Sequence, residues 1–121
     1  MRKKLLTLIA LVIVSSMLFV ACGPAGDGDD SVYVCQITDT GGIDDKSFNQ
    51  TAWKGIQDAE EELGIRSNYL ESQEVADYEP NLNAFLEEGC DLIVTVGFLI
   101  ADATKAAAEA NPDRNLSIVD A

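Results

Sequence analysis

The chain has 121 residues, enough for one small domain or part of a larger one, and its 47% hydrophobic content supports a core. Its formal net charge is −13, with 8 Lys and Arg against 21 Asp and Glu, a balance that repels phosphate backbones and argues against a nucleic-acid partner. It contains no histidine, which removes the commonest general base near neutral pH and any Ser/His or Cys/His nucleophile within this chain.

The first segment, residues 1–21, opens with Arg2, Lys3 and Lys4 and continues as an apolar run, Leu5–Val20, broken only by Thr7 and Ser15–Ser16. This is the layout of a secretory signal, and the run is short for a membrane-spanning helix, which takes about 20 apolar residues. The stretch "LFVAC" resembles the bacterial lipobox, with small Ala21 just before Cys22 and Phe19 where Leu is usual. On that resemblance the Cys22 thiol is acylated and becomes the mature N-terminus. Two or three acyl chains anchor a protein stably where one is marginal. Residues 22–31, rich in Gly and Asp, are expected to act as a flexible acidic tether.

From residue 32 onward, short β-rich runs alternate with helical ones. "VYVCQIT" (32–38) is a buried-strand candidate. "SFNQTAWKGIQDAEEELG" (47–64) has apolar residues at 48, 52, 56, 59 and 63, the helical period. Ser47 and Gln50 match a capping box, and Gly64 is a helix stop. "IRSNYLES" (65–72) reads as a second strand, and "DYEPNLNAFLEEG" (77–89) as a helix with Tyr78, Leu82, Phe85 and Leu86 on one face. "DLIVTV" (91–96) is the clearest strand, apolar enough for burial on both faces. "LIADATKAAAEAN" (99–111) is an Ala-rich helix stopped at Asn111–Pro112, and "LSIVD" (116–120) is a fourth strand. Strand–helix alternation with short connections implies α/β architecture, a doubly wound parallel sheet of strand order 2-1-3-4. With no helix after the fourth strand, the chain reads as the N-terminal portion of a longer protein. Cys35 lies in strand one and Cys90 just before strand three; entry at opposite ends or offset heights argues against a disulfide, leaving both as small buried hydrophobes.

Ligands of open parallel sheets bind beyond the carboxyl ends of strands, where the order reverses, here between strands one and three. Asp39, Thr40, Gly41 and Gly42 follow strand one, Gly97 and Phe98 follow strand three, and Asp120 follows strand four. Neither G-x-x-x-x-G-K-[ST] nor G-x-G-x-x-G follows strand one, and Asp39, Asp44 and Asp45 would repel phosphate. A carboxylate in a cleft instead accepts hydrogen bonds from vicinal hydroxyls, and an aromatic face suits a base or a sugar. A sugar or nucleoside fits these groups better than a nucleotide. Gly41 and Gly42 are expected to serve backbone geometry, Asp44 and Asp45 the electrostatics of the helix start, and Trp53 packing. Phe48 sits on the apolar helical face, so core packing and cleft lining both stay open for it. Its first-turn position favours the cleft.

"TDTGGIDDKSFNQTAWKGI", together with "DLIVTVGFLIADAT" and "LSIVDA", resembles the basic membrane protein family of lipid-anchored substrate-binding proteins of ABC importers. The resemblance runs from the lipobox to the last residue. It implies the type I periplasmic-binding-protein fold, two α/β lobes closing on ligand, with residues 32–121 supplying most of one lobe. It further implies a purine-nucleoside ligand, ABC permease subunits as partners, an extracytoplasmic membrane-anchored location, no cofactor or metal, and no enzymatic activity. By the same resemblance Asp39 and Asp120 bind ribose hydroxyls and Phe48 stacks on the base. Asn49 or Ser47 offers further hydrogen bonds, and Gly97–Phe98 line the cleft. The competing expectations are a sugar receptor of the same fold and, from another class, a flavodoxin-like or hydrolase-type enzyme. The missing histidine, phosphate loop and nucleophile elbow speak against that second class.

Overall fold

The computed structural model describes residues 30–121. The leader, the lipidation cysteine Cys22 and most of the 22–31 tether lie outside the described residues. The elements follow in the order β1 (Tyr33–Ile37), α1 (Phe48–Leu63), β2 (Arg66–Leu70), a 3-10 turn (Val75–Asp77), α2 (Tyr78–Glu88), β3 (Leu92–Val96), a second 3-10 turn (Phe98–Ile100), α3 (Ala101–Ala110) and β4 (Asn115–Val119). All strand pairs are parallel and the sheet order is β2-β1-β3-β4, as the strand–helix alternation predicts. In register, Cys35 stands between Asn68 of β2 and Ile93 of β3, and Ile93 faces Leu116 of β4.

Every residue of β1 is buried, so both faces of the central strand are covered. On one face Cys35, Ile37 and Ile93 pack with Tyr78, Leu82 and Phe85 of α2 and with Ile100 at the start of α3. Alternation turns Val34 and Gln36 to the other face, where the Gln36 side-chain amide donates to the Asn49 backbone carbonyl in α1 at 2.9 Å. Thr95 and Thr104, both buried, share a hydrogen bond of 2.8 Å that ties β3 to α3. Gly64 and Gly89 end α1 and α2 in left-handed conformation, at φ 69° and 85°, which glycine adopts without a Cβ penalty. In β4, Leu116 and Ile118 are half-buried beside the core while Asn115, Ser117 and Val119 are exposed.

Two local expectations are corrected. Cys35 and Cys90 form a disulfide, with S–S 1.98 Å and Cα–Cα 6.0 Å. The offset that argued against it vanishes at the turn after α2. Gly89 reverses the chain there, the Asp91 N–H donates to the Tyr33 carbonyl at 2.8 Å, and Cys90 is delivered to the face of β1 that carries Cys35. The α1 cap is the second correction. Ser47 makes no side-chain capping bond. Asp45 replaces it: one carboxylate oxygen accepts from the N–H groups of Ser47 (2.8 Å) and Gln50 (3.1 Å), the other from that of Asn49 (3.1 Å). An ionised carboxylate with two oxygens satisfies more of the orphan N–H groups of a first turn than a hydroxyl can.

Candidate ligand-binding site

β1 is followed by buried Thr38, whose N–H donates to the Leu70 carbonyl at 3.1 Å, and then by Asp39. The Asp39 carboxylate is held from the side. Its Oδ1 accepts from the Gly41 N–H and from the Asn49 side-chain amide, each at 2.9 Å. Its Oδ2 faces Gly97, the first residue past β3: a Cβ at position 97 would lie 2.7 Å from Asp39 Cγ and nearer still to Oδ2. Gly97 holds φ +100° and donates its N–H to the Val119 carbonyl at 2.9 Å. The tips of β1, β3 and β4 are therefore in register at one edge, as the switch-point rule requires.

The loop between β1 and α1 is closed by two acids. Glu71, just past β2, accepts the Ile43 N–H at 2.8 Å, and Asp45 caps α1 as described. Burial acts to raise the Asp45 pKa, but the N–H groups of Gln50, Ser47 and Asn49, with the Asn49 amide, outweigh it and hold the carboxyl below its ordinary value. Capping by Asp45 has a readable signal in its place two residues before Ser47, whereas nothing local points to Glu71, which lies 28 residues from its partner.

The six candidate residues fall into two groups. Asp39, Asn49 and Gly97 form one contact network. Asn49 is only 2% exposed, and its amide donates to Asp45 Oδ2 at 3.1 Å as well as to Asp39. Phe48, Phe98 and Asp120 are exposed and stand around that network on the first turn of α1, after β3 and after β4. Phe48 is 52% exposed and Phe98 67%, which decides the open question for Phe48 against core packing. Asp120 adopts φ 61°, a conformation that non-glycine residues visit at a cost. Trp53 packs on Tyr69 with ring centroids 4.9 Å apart. A groove of about 570 Å³ beside them, between α1 and β2, shares none of the six candidate residues. Among the described residues no group of three or more His, Cys, Asp or Glu side chains is placed to hold a metal ion.

The contact between Asp39 and Gly97 gives a direct expectation. Gly97→Ala should lower the unfolding free energy by about 2–4 kcal/mol, from left-handed strain and from a methyl group driven into the Asp39 carboxylate. Urea denaturation measures it; an unchanged midpoint would show that the two tips are not in contact.

The β2-β1-β3-β4 sheet that carries this edge lies within the stretch that matches known proteins. A family model described as ABC transporter substrate-binding protein PnrA-like covers residues 32–121. The chain belongs to that family. Among Bmp relatives, it is 37% identical to a "CD4+ T-cell-stimulating antigen" of Listeria innocua, over 99% of this chain and 38% of that protein. It is 32% identical to the "ABC transporter nucleoside-binding protein BmpA" of Lactococcus lactis, over 99% of this chain and 37% of that one. In three dimensions it resembles the crystal structure of an ABC transporter solute-binding protein from Aeropyrum pernix K1, with TM-score 0.68 and 36% identity over 74% of this chain and 25% of that one. The chain thus spans less than two-fifths of the length of these curated relatives. Members of the Bmp family are substrate-binding proteins of ABC transporters, and the doubly wound architecture here is that of such solute-binding proteins.

Proposed function

We propose that this chain forms one lobe of a lipid-anchored extracytoplasmic receptor that captures a nucleoside, with preference for a purine one, and passes it to an ABC permease. The observation that carries this is the Asp39 carboxylate, half-buried at the tip of β1 and fixed by Gly41 and Asn49. An ionised carboxylate held in this way accepts hydrogen bonds from the two hydroxyls of a ribose. Asp120 adds a second acceptor from the β4 tip, and the exposed ring of Phe48 offers a stacking face for a base. The name of the Lactococcus relative, a nucleoside-binding protein, supports the same ligand class. A second lobe closing over the ligand completes the clamp, since differential affinity for the closed state is what drives such a hinge. Anchoring falls to the acylated Cys22, with residues 22–31 as tether.

A free sugar also satisfies paired carboxylates, but it has less use for Phe48. The two readings separate in calorimetry on protein expressed from the complete gene. Inosine or guanosine should bind, and Phe48→Ala should weaken that binding. No heat with any nucleoside, together with clear heat from a simple sugar, would overturn the nucleoside reading.

A further inference from the structure

We infer that Gln36 is a positioning residue: from the central strand it fixes the first turn of α1, and with it Phe48 and Asn49, beside the β1 tip where Asp39 stands. The inference rests on the reading of that edge as a nucleoside site and extends it to what holds the helix there.

Gln36 is fully buried in β1, among Tyr33, Val34, Cys35 and Ile37. Its side-chain amide donates to the Asn49 backbone carbonyl at 2.9 Å, while its Oε1 is buried with no hydrogen-bond partner among the described residues. Neither half of that arrangement serves the stability of the fold. An unpaired buried acceptor is destabilising, and an apolar side chain of similar length would remove it. Nor does the Asn49 carbonyl need a second donor, because a helical carbonyl already accepts the N–H four residues on, here that of Trp53. What the bond supplies is a fixed distance between helix and strand.

α1 has little else to set that distance at its start. Of the first-turn residues Phe48, Asn49, Gln50 and Thr51, only Asn49 is buried. The other buried residue of the helix, Ile56, lies two turns on, and Trp53 meets Tyr69 of β2 rather than β1. Two hydrogen bonds join the first turn to β1 and its tip. One runs from the Asn49 side chain to Asp39, the other from Gln36 to the Asn49 backbone. The second is to backbone, so it holds the turn whichever partner the Asn49 side chain takes.

Gln36→Met keeps the length of the side chain and removes the amide. In protein expressed from the complete gene, with inosine as the probe in calorimetry, this variant should bind roughly 3- to 10-fold more weakly than wild type, the loss of one neutral hydrogen bond. Its melting temperature should equal or exceed that of wild type, since the unpaired acceptor is gone. Gln36→Leu should behave in the same way and guards against a Met variant that packs badly. Val34→Ala, on the same face of β1, is the control for loosened packing: it should melt lower and bind inosine like wild type. Wild-type affinity in both Gln36 variants would overturn the positioning role. So would weaker binding that comes with a lowered melting temperature in both, or an equal loss of affinity in Val34→Ala, since either marks a general effect of packing. If wild type itself gives no heat with inosine, the nucleoside reading falls and the inference with it. If wild type binds and the Gln36 variants match it, only the positioning role falls.

Discussion

Asp39→Ala is expected to weaken inosine binding by at least roughly 100-fold. A hydrogen bond to a charged group is worth about 1.5–3 kcal/mol, and a carboxylate serving two ribose hydroxyls makes two of them. Every 1.4 kcal/mol is about tenfold in affinity. The same substitution removes the acceptor that Gly41 and Asn49 share, so the loop between β1 and α1 also loses its inner tie. Calorimetry on protein from the complete gene reads the first effect and a thermal melt reads the second. A variant that melts like wild type and still binds inosine with unchanged affinity would remove Asp39 from the ligand site.

The second large effect concerns the core. Replacing both Cys35 and Cys90 by alanine should lower the unfolding free energy by about 4 kcal/mol in the chain-entropy account of a cross-link across a loop of this length, the two cysteines being 55 residues apart. Single domains have only about 5–15 kcal/mol to lose, so the effect is a large fraction of the whole. The bridge joins the central strand to the turn that launches β3, with both residues at 1% exposure or less. Denaturant titration with and without a thiol reductant gives the comparison. A midpoint that moves with neither the double substitution nor the reductant would show that the cross-link adds nothing to stability.

The strand order and the residues at the strand tips were legible in the sequence, because both follow from periodicity. Alternating β-rich and helical runs admit few topologies, and the order then places Asp39, Gly97 and Asp120 at one edge. The helix ends at Gly64 and Gly89 were legible for the same local reason. Legibility ended where two local solutions competed or where the partner was distant. Ser47 with Gln50 fits a capping box, but Asp45 reaches the same N–H groups with two oxygens, and spacing alone does not rank them. The disulfide depends on how the turn at Gly89 delivers Cys90 to one face of β1, a three-dimensional relation with no trace in the 55-residue separation. Phe48 falls on the apolar period of α1, and only the packing shows that its ring is half outside. The burial of Asn49 between two acids, to both of which its amide donates, has no trace in the sequence.

The division between the interlocked trio Asp39, Asn49, Gly97 and the exposed pair Phe48, Phe98 sets how such a protein can diversify. A change at any of the three disturbs the other two, so this end of the site has little room to vary. Rings at positions 48 and 98 have few packed neighbours to disturb. On the proposed reading, ligand preference is free to drift through those two positions while the acceptor at the β1 tip stays locked.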